Sequence, residues 1–254
     1  MSGFKVRSKI NNAVHEKLNH IMGKIQEHNA IYAFEDKDYI FPGGNIGCIT
    51  ITMVGGGGAG GHGCMKNGIF YAGGGGGAGG SCLKKPVIIV NPMKEELNIK
   101  TKIGIGGNSS SLDGTDTSVC IHVGEKLIFK HTAQGGKHGG NQDNNNKGGK
   151  GGACGTNEML GGYDGGAGSI TLSSVGKVFG GNGGNSAFEE GGFGGYQKNF
   201  FKIDNDIDNY DHPDNSTNPQ GQNGYMGSGG GGSVPGLAPE LIGNGGNGFV
   251  IIEF

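Results

Sequence analysis

Alternating apolar and polar residues mark the strands of this chain. The segment Cys48–Val54, CITITMV, alternates in this way, which is typical of a half-buried β-strand. Similar patterns bounded by turn residues predict further strands at 31–34, 39–41, 87–90, 97–105, 118–123, 126–131, 169–172 and 248–254. Gly124-Glu125 separates two of them as a hairpin connection.

The first 30 residues follow a different period. Apolar side chains recur at intervals of three and four, at Ile10, Val14, Leu18, Ile21, Met22 and Ile25. This spacing predicts an amphipathic helix, with Ser8 as its N-cap. Two interpretations of the helix remain: it packs on its own domain, or it docks on a partner or a second copy.

Glycine accounts for 60 of the 254 residues, whereas an average protein has roughly 7%. Two long runs, at 55–58 and 73–77, follow strand patterns, contain no serine and are followed by alanine. Flexible linkers are usually rich in serine as well. Glycine segments with three residues per turn can instead pack side by side and hydrogen-bond to each other. We therefore expect a mainly β protein with a small sandwich base and packed, polyglycine-II-like segments.

Charge and hydropathy exclude several classes of function. The formal net charge is −2 and the glycine runs contain almost no arginine, which argues against nucleic acid as a partner. No apolar stretch reaches the roughly 18 residues of a membrane helix, and the N-terminus lacks the apolar region of a secretory signal. The sequence contains no GxSxG, GxxxxGK[ST] or HExxH motif, so we expect no enzymatic activity and no cofactor.

The cysteines give no metal pattern. Cys48, Cys64, Cys82, Cys120 and Cys154 lie far apart and form no CxxC pair. An odd number of cysteines favours reduced, buried thiols, although their spacing leaves open a disulfide pair with thiols to spare.

The order of these signals resembles the glycine-rich domain of phage tail-fibre and other virion proteins. The match starts with an apolar strand, a proline turn, an alternating strand and a glycine run, at 39–61, YIFPGGNIGCITITMVGGGGAGG. It continues at 72–85, AGGGGGAGGSCLKK, and 97–107, LNIKTKIGIGG, and ends at 244–254, NGGNGFVIIEF. The resemblance implies a β-sandwich base that carries glycine helices, variable distal loops that contact a host receptor, and no catalysis.

These observations predict two parts, an N-terminal helix at 1–30 and a glycine-rich β domain at 31–254 with an Asp/Asn-rich insertion near 200–218. The insertion and the helix depart from the family pattern. We expect a structural or adhesive protein of a virion, bound to other virion proteins and to a host surface receptor. Self-association stays open. The alternative is a cellular glycine-rich protein that binds ice or a polysaccharide.

Two groups of side chains are candidate sites. Aromatic residues that interrupt the glycine segments could form a recognition surface, or could cover the bundle: Tyr196, Phe200, Phe201, Tyr210 and Tyr225. Carboxylates at alternate positions, Asp204, Asp206 and Asp208, resemble the first ligands of a calcium loop. The glycine and the glutamate of such a loop are missing, so a solvated acidic loop is favoured over a metal site.

Overall fold

Strands and glycine segments make up the part of the chain that the structure describes. The computed structural model describes residues 30–42, 47–63, 65–66, 69–70, 74–90, 94–141, 162–171, 177–194, 196–198, 220–233 and 241–254. The helix predicted at 1–30 lies outside them, except for its last residue. The described strands are β1 (Ala30–Ala33), β2 (Lys37–Phe41), β3 (Cys48–Val54), β4 (Met65–Lys66), β5 (Ile69–Phe70), β6 (Cys82–Ile88), β7 (Leu97–Lys102), β8 (Thr117–Val123), β9 (Lys126–Ala133), β10 (Ser169–Thr171), β11 (Lys177–Phe179), β12 (Tyr196–Lys198) and β13 (Phe249–Glu253).

Two antiparallel four-stranded sheets form the base. Sheet one has the order β1-β13-β3-β6, and sheet two has the order β2-β7-β8-β9. Their inner faces share one hydrophobic core, to which Ile51 and Met53 of β3 and Ile99 and Ile121 of sheet two contribute fully buried side chains. The prediction of a mainly β protein on a sandwich base is therefore confirmed.

The alternating patterns of the sequence correspond to the two faces of each sheet. In β8 every second residue is buried and the others are half-buried, because successive side chains of a strand point to opposite faces. In sheet one, Val54, Cys82 and Phe249 point away from the main core and form a second, smaller cluster. This cluster lies where the strands run into the glycine segments.

Several predicted strand bounds differ from the structure by one or two residues, and two differ by three or more. Strand β6 starts at Cys82 rather than at residue 87, because it pairs with β3 over the full length of both strands. Pro86 does not interrupt it, since β6 is an edge strand. Strand β7 ends at Lys102 rather than at residue 105, because side-chain oxygens of other residues replace the ladder and accept the next backbone N–H groups. Strands β4, β5, β11 and β12, of two or three residues each, were not predicted because they are too short to show a period.

Three glycine segments form the centre of the bundle: segment I (55–61), segment II (74–80) and segment III (227–233). All their residues are buried. Each segment donates backbone hydrogen bonds to the next in a closed cycle. Gly58 of segment I donates to Ala78 O of segment II at 2.8 Å, Gly77 of segment II donates to Gly230 O of segment III at 2.8 Å, and Gly230 donates to Gly58 O at 2.9 Å.

Hydrogen bonding along segment I repeats every three residues. The N–H groups of residues 55, 58 and 61 bond to one neighbouring segment, those of 56 and 59 to a second, and those of 57 and 60 to a third. Carbonyl groups of segment I accept bonds from three further segments, which include residues 107, 136 and 230. The N–H groups of three successive residues therefore point in three different directions. This arrangement is expected of a polyproline-II-type helix, which has three residues per turn, in a hexagonal bundle.

The balance of energies explains why the segments are packed together. Ordering one backbone residue costs about 1–2 kcal/mol, and one hydrogen bond gives back a net of about 1 kcal/mol. A lone glycine helix therefore does not form in water. Most residues of the central segments both donate and accept a bond and gain close van der Waals contacts with neighbouring backbones, so the bundle forms as a unit on the sandwich.

The bundle has a sandwich end and a far end. Gly55, Gly80 and Gly248 lie at the sandwich end, directly next to β3, β6 and β13. Segments I and II reach the far end at Gly61 and Gly74, about 20 Å away at a rise of about 3.1 Å per residue. Opposite the bundle, at the other pole of the sandwich, β1 begins with Ala30 beside Glu253. The chain before β1 thus joins the domain at the pole that the bundle does not occupy.

Close packing of backbones predicts a large effect of a single methyl group. A Cβ added to Gly57 would lie 2.0 Å from Ser228 O, and backbone atoms cannot move aside. We expect Gly57→Ala to lower the free energy of unfolding by about 3 kcal/mol or more, measured by urea denaturation. Gly166→Ala is the matched control, because its Cβ would meet its nearest atom at 3.4 Å. Equal stability of the two variants would contradict this packing.

Candidate functional site

Most of the chain segments that connect one glycine segment with another begin or end at the far end of the bundle. The chain passes through the β4–β5 hairpin between segments I and II, and through β10 and β11 before it re-enters the bundle at Gly180. Strand β12 pairs with β11 and so lies at the same end. Residues 199–219 connect β12 with Gln220, and Gly221, which follows it, packs against Gly231 of segment III near the far end. The far end is therefore where the scaffold displays connecting segments.

The predicted site residues fall in two places. Tyr196 is the first residue of β12, at the far end. Residues of the insertion, Phe200, Phe201, Tyr210, Asp204, Asp206 and Asp208, lie outside the described residues, so the aromatic and calcium sites stay predictions there. Tyr225 lies at the opposite, sandwich end, where it precedes segment III. The structure thus separates Tyr225 from Tyr196.

A tight turn presents Tyr225 to solvent. Ser228 N–H donates to Tyr225 O at 2.8 Å, and Tyr225 N–H donates to Ser228 Oγ at 2.8 Å. The two central residues, Met226 and Gly227, have φ values of 45° and 82°, which is the geometry of a type I′ turn. Gly227 is required because a Cβ would lie 2.5 Å from Val54 Cγ1. The Tyr225 ring is 69% exposed at this turn.

Two more exposed phenylalanines lie near this turn on the second cluster. Phe34 and Phe188 both contact the buried Phe249, with ring centroids at 6.0 Å and 5.0 Å. Phe34 is nevertheless 57% exposed. The two rings that pack on the buried Phe249 therefore remain partly exposed to solvent. They form an aromatic surface at the junction of sandwich and bundle.

Asparagine and aspartate side chains complete the hydrogen bonding at the edges of the bundle. Asn185 Oδ1 accepts the Gly191 N–H at 3.0 Å, and Asn182 Oδ1, three residues away, accepts the Gly194 N–H at 2.9 Å. A peripheral helix lacks a neighbour on its outer side, and an unpaired N–H that becomes buried costs about 1–3 kcal/mol. The side-chain oxygen takes the place of the missing backbone carbonyl.

The same device recurs with other residues at a spacing of three. Asp116 Oδ1 accepts the Gly135 N–H and Asp113 Oδ1 accepts the His138 N–H, both at 2.9 Å. Sequence analysis missed these roles. The signal is present in the repeats GGNGGN, NGGN and DGTD, whose period of three equals the helical repeat of the segments.

Asp113 forms the strongest electrostatic cluster in the described part of the bundle. Its carboxylate contacts His138 Nδ1 at 2.7 Å and Lys137 Nζ at 2.9 Å. Partial burial by itself raises the pKa of Asp113, but the hydrogen bonds from His138 and Lys137 outweigh it and lower the pKa to about 2. This ion pair joins the segments around 113 and 137 at the surface.

The described cysteines differ in their surroundings. Cys48, Cys82 and Cys120 are free thiols; Cys82 is buried, Cys120 is half-buried and Cys48 is exposed. The expectation of buried thiols therefore does not hold for Cys48. Burial raises the pKa of Cys82 to about 11, although Lys84 acts in the opposite direction. Cys64 and Cys154 lie outside the described residues.

The described part of the chain contains neither a metal-binding cluster nor a membrane-spanning helix. Among the described residues, no three His, Cys, Asp or Glu side chains are grouped to hold a metal ion. No helix in that part has the length and apolar character needed to cross a membrane.

The sequence that forms the sandwich and the bundle matches a known family. A family model described as a glycine-rich domain matches residues 37–254. The chain belongs to this glycine-rich domain family. A search of curated proteins found no match. The matched range starts at Lys37, the first residue of β2, and ends at Phe254, the last residue of the sequence.

The low pKa of Asp113 in the glycine-rich domain predicts how its ion pairs respond to pH. A carboxyl group whose folded pKa lies below its unfolded value of about 3.9 stabilises the fold above that value, and loses this effect as pH falls through the folded pKa. Asp113 is partly exposed, so we expect Asp113→Asn to cost less than about 1 kcal/mol at pH 5. The difference in free energy of unfolding between wild type and variant should shrink towards pH 2, measured by urea denaturation. A difference independent of pH would contradict the assignment.

Proposed function

We propose that this protein is a non-enzymatic structural or adhesive subunit of a virus particle. Its glycine bundle acts as a rigid arm, the connecting segments at the far end contact a host receptor or a neighbouring virion protein, and the sandwich pole with residues 1–29 attaches to the particle. The resemblance of residues 39–61 and 244–254 to phage tail-fibre domains is the reason for proposing a virion protein.

The observation that supports this proposal most is the polarity of the domain. The chain enters at Ala30, at the pole of the sandwich. Connecting segments leave and re-enter the bundle at the far end, next to Gly61, Gly74 and Ser233. A scaffold whose attached segment and displayed loops lie at opposite ends suits a projecting subunit.

The packing of the arm supports the same use. Segments I to III are buried, and nearly all of their backbone N–H groups and most of their carbonyl groups are paired with other backbone groups. Such a bundle offers few side chains and little exposed backbone to a protease.

Location on the particle gives the direct test. We expect mass spectrometry of purified virus particles from the source to detect the chain, and immunogold labelling to place it on their surface. Deletion of residues 1–29 should leave a domain with unchanged melting temperature that no longer joins the particle. A variant in which residues 199–219 are scrambled should join the particle but attach to host cells at least tenfold less well.

Three outcomes would contradict the proposal. The chain could be missing from every particle, which would favour the cellular ice- or polysaccharide-binding alternative. The protein without residues 1–29 could be incorporated normally, or the scrambled variant could attach as the wild type does, and either result would remove one of the two assigned ends.

A further inference from the structure

A long groove crosses the junction between sandwich and bundle. It consists of three adjacent depressions with volumes of about 680, 440 and 290 Å³, of which the third extends along the bundle to Gln220. The first and second share Phe34 and Asn247, and the second and third share Asn223 and Tyr225. An aromatic ring therefore stands at each of the two connections. This layout fits an extended ligand rather than a compact one.

The ring of Phe34 and the backbone of Tyr225 are held in place, although both residues are exposed. Phe34 packs against Phe249 at 6.0 Å between ring centroids, and the backbone of Tyr225 is fixed by two hydrogen bonds to Ser228. Their exposed fractions are 57% and 69%. Rigid aromatic rings on a fixed backbone lose little entropy on binding, which makes them effective anchors for a ligand.

Polar groups along the groove are oriented by the scaffold. Asn247 Oδ1 accepts the Gly106 N–H at 2.9 Å, and Asn223 Oδ1 accepts the Asn244 N–H at 2.8 Å. With the oxygen engaged, each amide has its NH₂ group left to donate to a ligand. Asp116 similarly uses Oδ1 for the Gly135 N–H and has its second oxygen left to accept. The groove thus combines fixed donors, a fixed acceptor and two flat apolar faces.

The charge along the groove further limits which classes of ligand can bind. The first depression has three carboxylates, from Glu35, Asp36 and Asp116, against the single cation of Lys102. The other two depressions contain no charged side chain among their lining residues. An anionic polymer would meet net repulsion at one end and no attraction along the rest.

We propose that this groove binds a neutral oligosaccharide. Sugar rings present flat C–H faces that stack on aromatic side chains, and their hydroxyl groups both donate to and accept from amides and carboxylates. Successive rings of a linear glycan repeat this combination along an extended chain, as the groove does. Both aromatic rings of this site lie at the sandwich end of the bundle, and the site does not depend on the function proposed for the connecting segments at the far end.

Binding can be measured on the purified full-length protein. The probes are cellohexaose, maltohexaose and the hexamer of N-acetylglucosamine, each titrated by calorimetry, with a hyaluronan hexasaccharide as the anionic comparison. We expect at least one neutral hexasaccharide to bind with a Kd in the micromolar to millimolar range, and the hyaluronan probe to bind at least tenfold more weakly.

Three variants separate the groove from the rest of the surface. Tyr225→Ala should weaken binding at least tenfold. Asn223→Asp keeps an acceptor for the Asn244 N–H and removes the amide donor, so it should weaken binding about fivefold at unchanged melting temperature. Tyr163→Ala is the matched control, because Tyr163 is similarly exposed at 65% and does not line the groove.

The proposal is overturned by any of three results. None of the neutral probes binds at 10 mM; or the bound probe is unaffected by Tyr225→Ala; or a proline-rich decapeptide binds the groove and the glycans do not. Because these measurements need no virus, their failure is distinct from failure of the particle experiments.

Discussion

Backbone hydrogen bonds between glycine segments I, II and III are the interaction on which the rest of this structure depends. Gly58, Gly77 and Gly230 donate in a cycle, so each segment fixes the position of the next. The remaining segments attach to this centre at directions set by the three-residue repeat. The sandwich supplies the starting points, since β3, β6 and β13 lead into or out of the bundle at its edge.

This dependence explains both the composition and the surface of the domain. Backbones that approach as closely as Gly57 and Ser228 leave no space for a Cβ, so glycine is selected by packing rather than by flexibility. Side chains are then confined to the periphery, where asparagines and aspartates pair with outward N–H groups and a few aromatics remain exposed. Peripheral residues of the same types form the groove at the junction. In this way a bundle with almost no side-chain core still has chemically specific surfaces.

Sequence reasoning succeeded where a period of two or a run of glycines carries the signal. Strand β3, the hairpin at Gly124 and the packed glycine runs at 55–58 and 73–77 were all predicted, because the alternation, the turn residue and the runs themselves are visible in the sequence. It failed at the start of β6, where pairing with β3 outweighs Pro86. The hydrogen bond from the Gly191 N–H to Asn185 Oδ1, and the separation of Tyr225 from Tyr196, depend on which segments become neighbours. That order is set by a hydrogen-bond network distributed over the whole chain, and no local pattern contains it.

Amide hydrogen exchange of Gly58, Gly77 and Gly230 tests the central claim most directly. If the glycine bundle forms as a unit with the sandwich, these amides should exchange only through global unfolding, with the same free energy of opening as the Ile51 amide of β3. Exchange within seconds at neutral pH, as for a flexible glycine linker, would contradict the account.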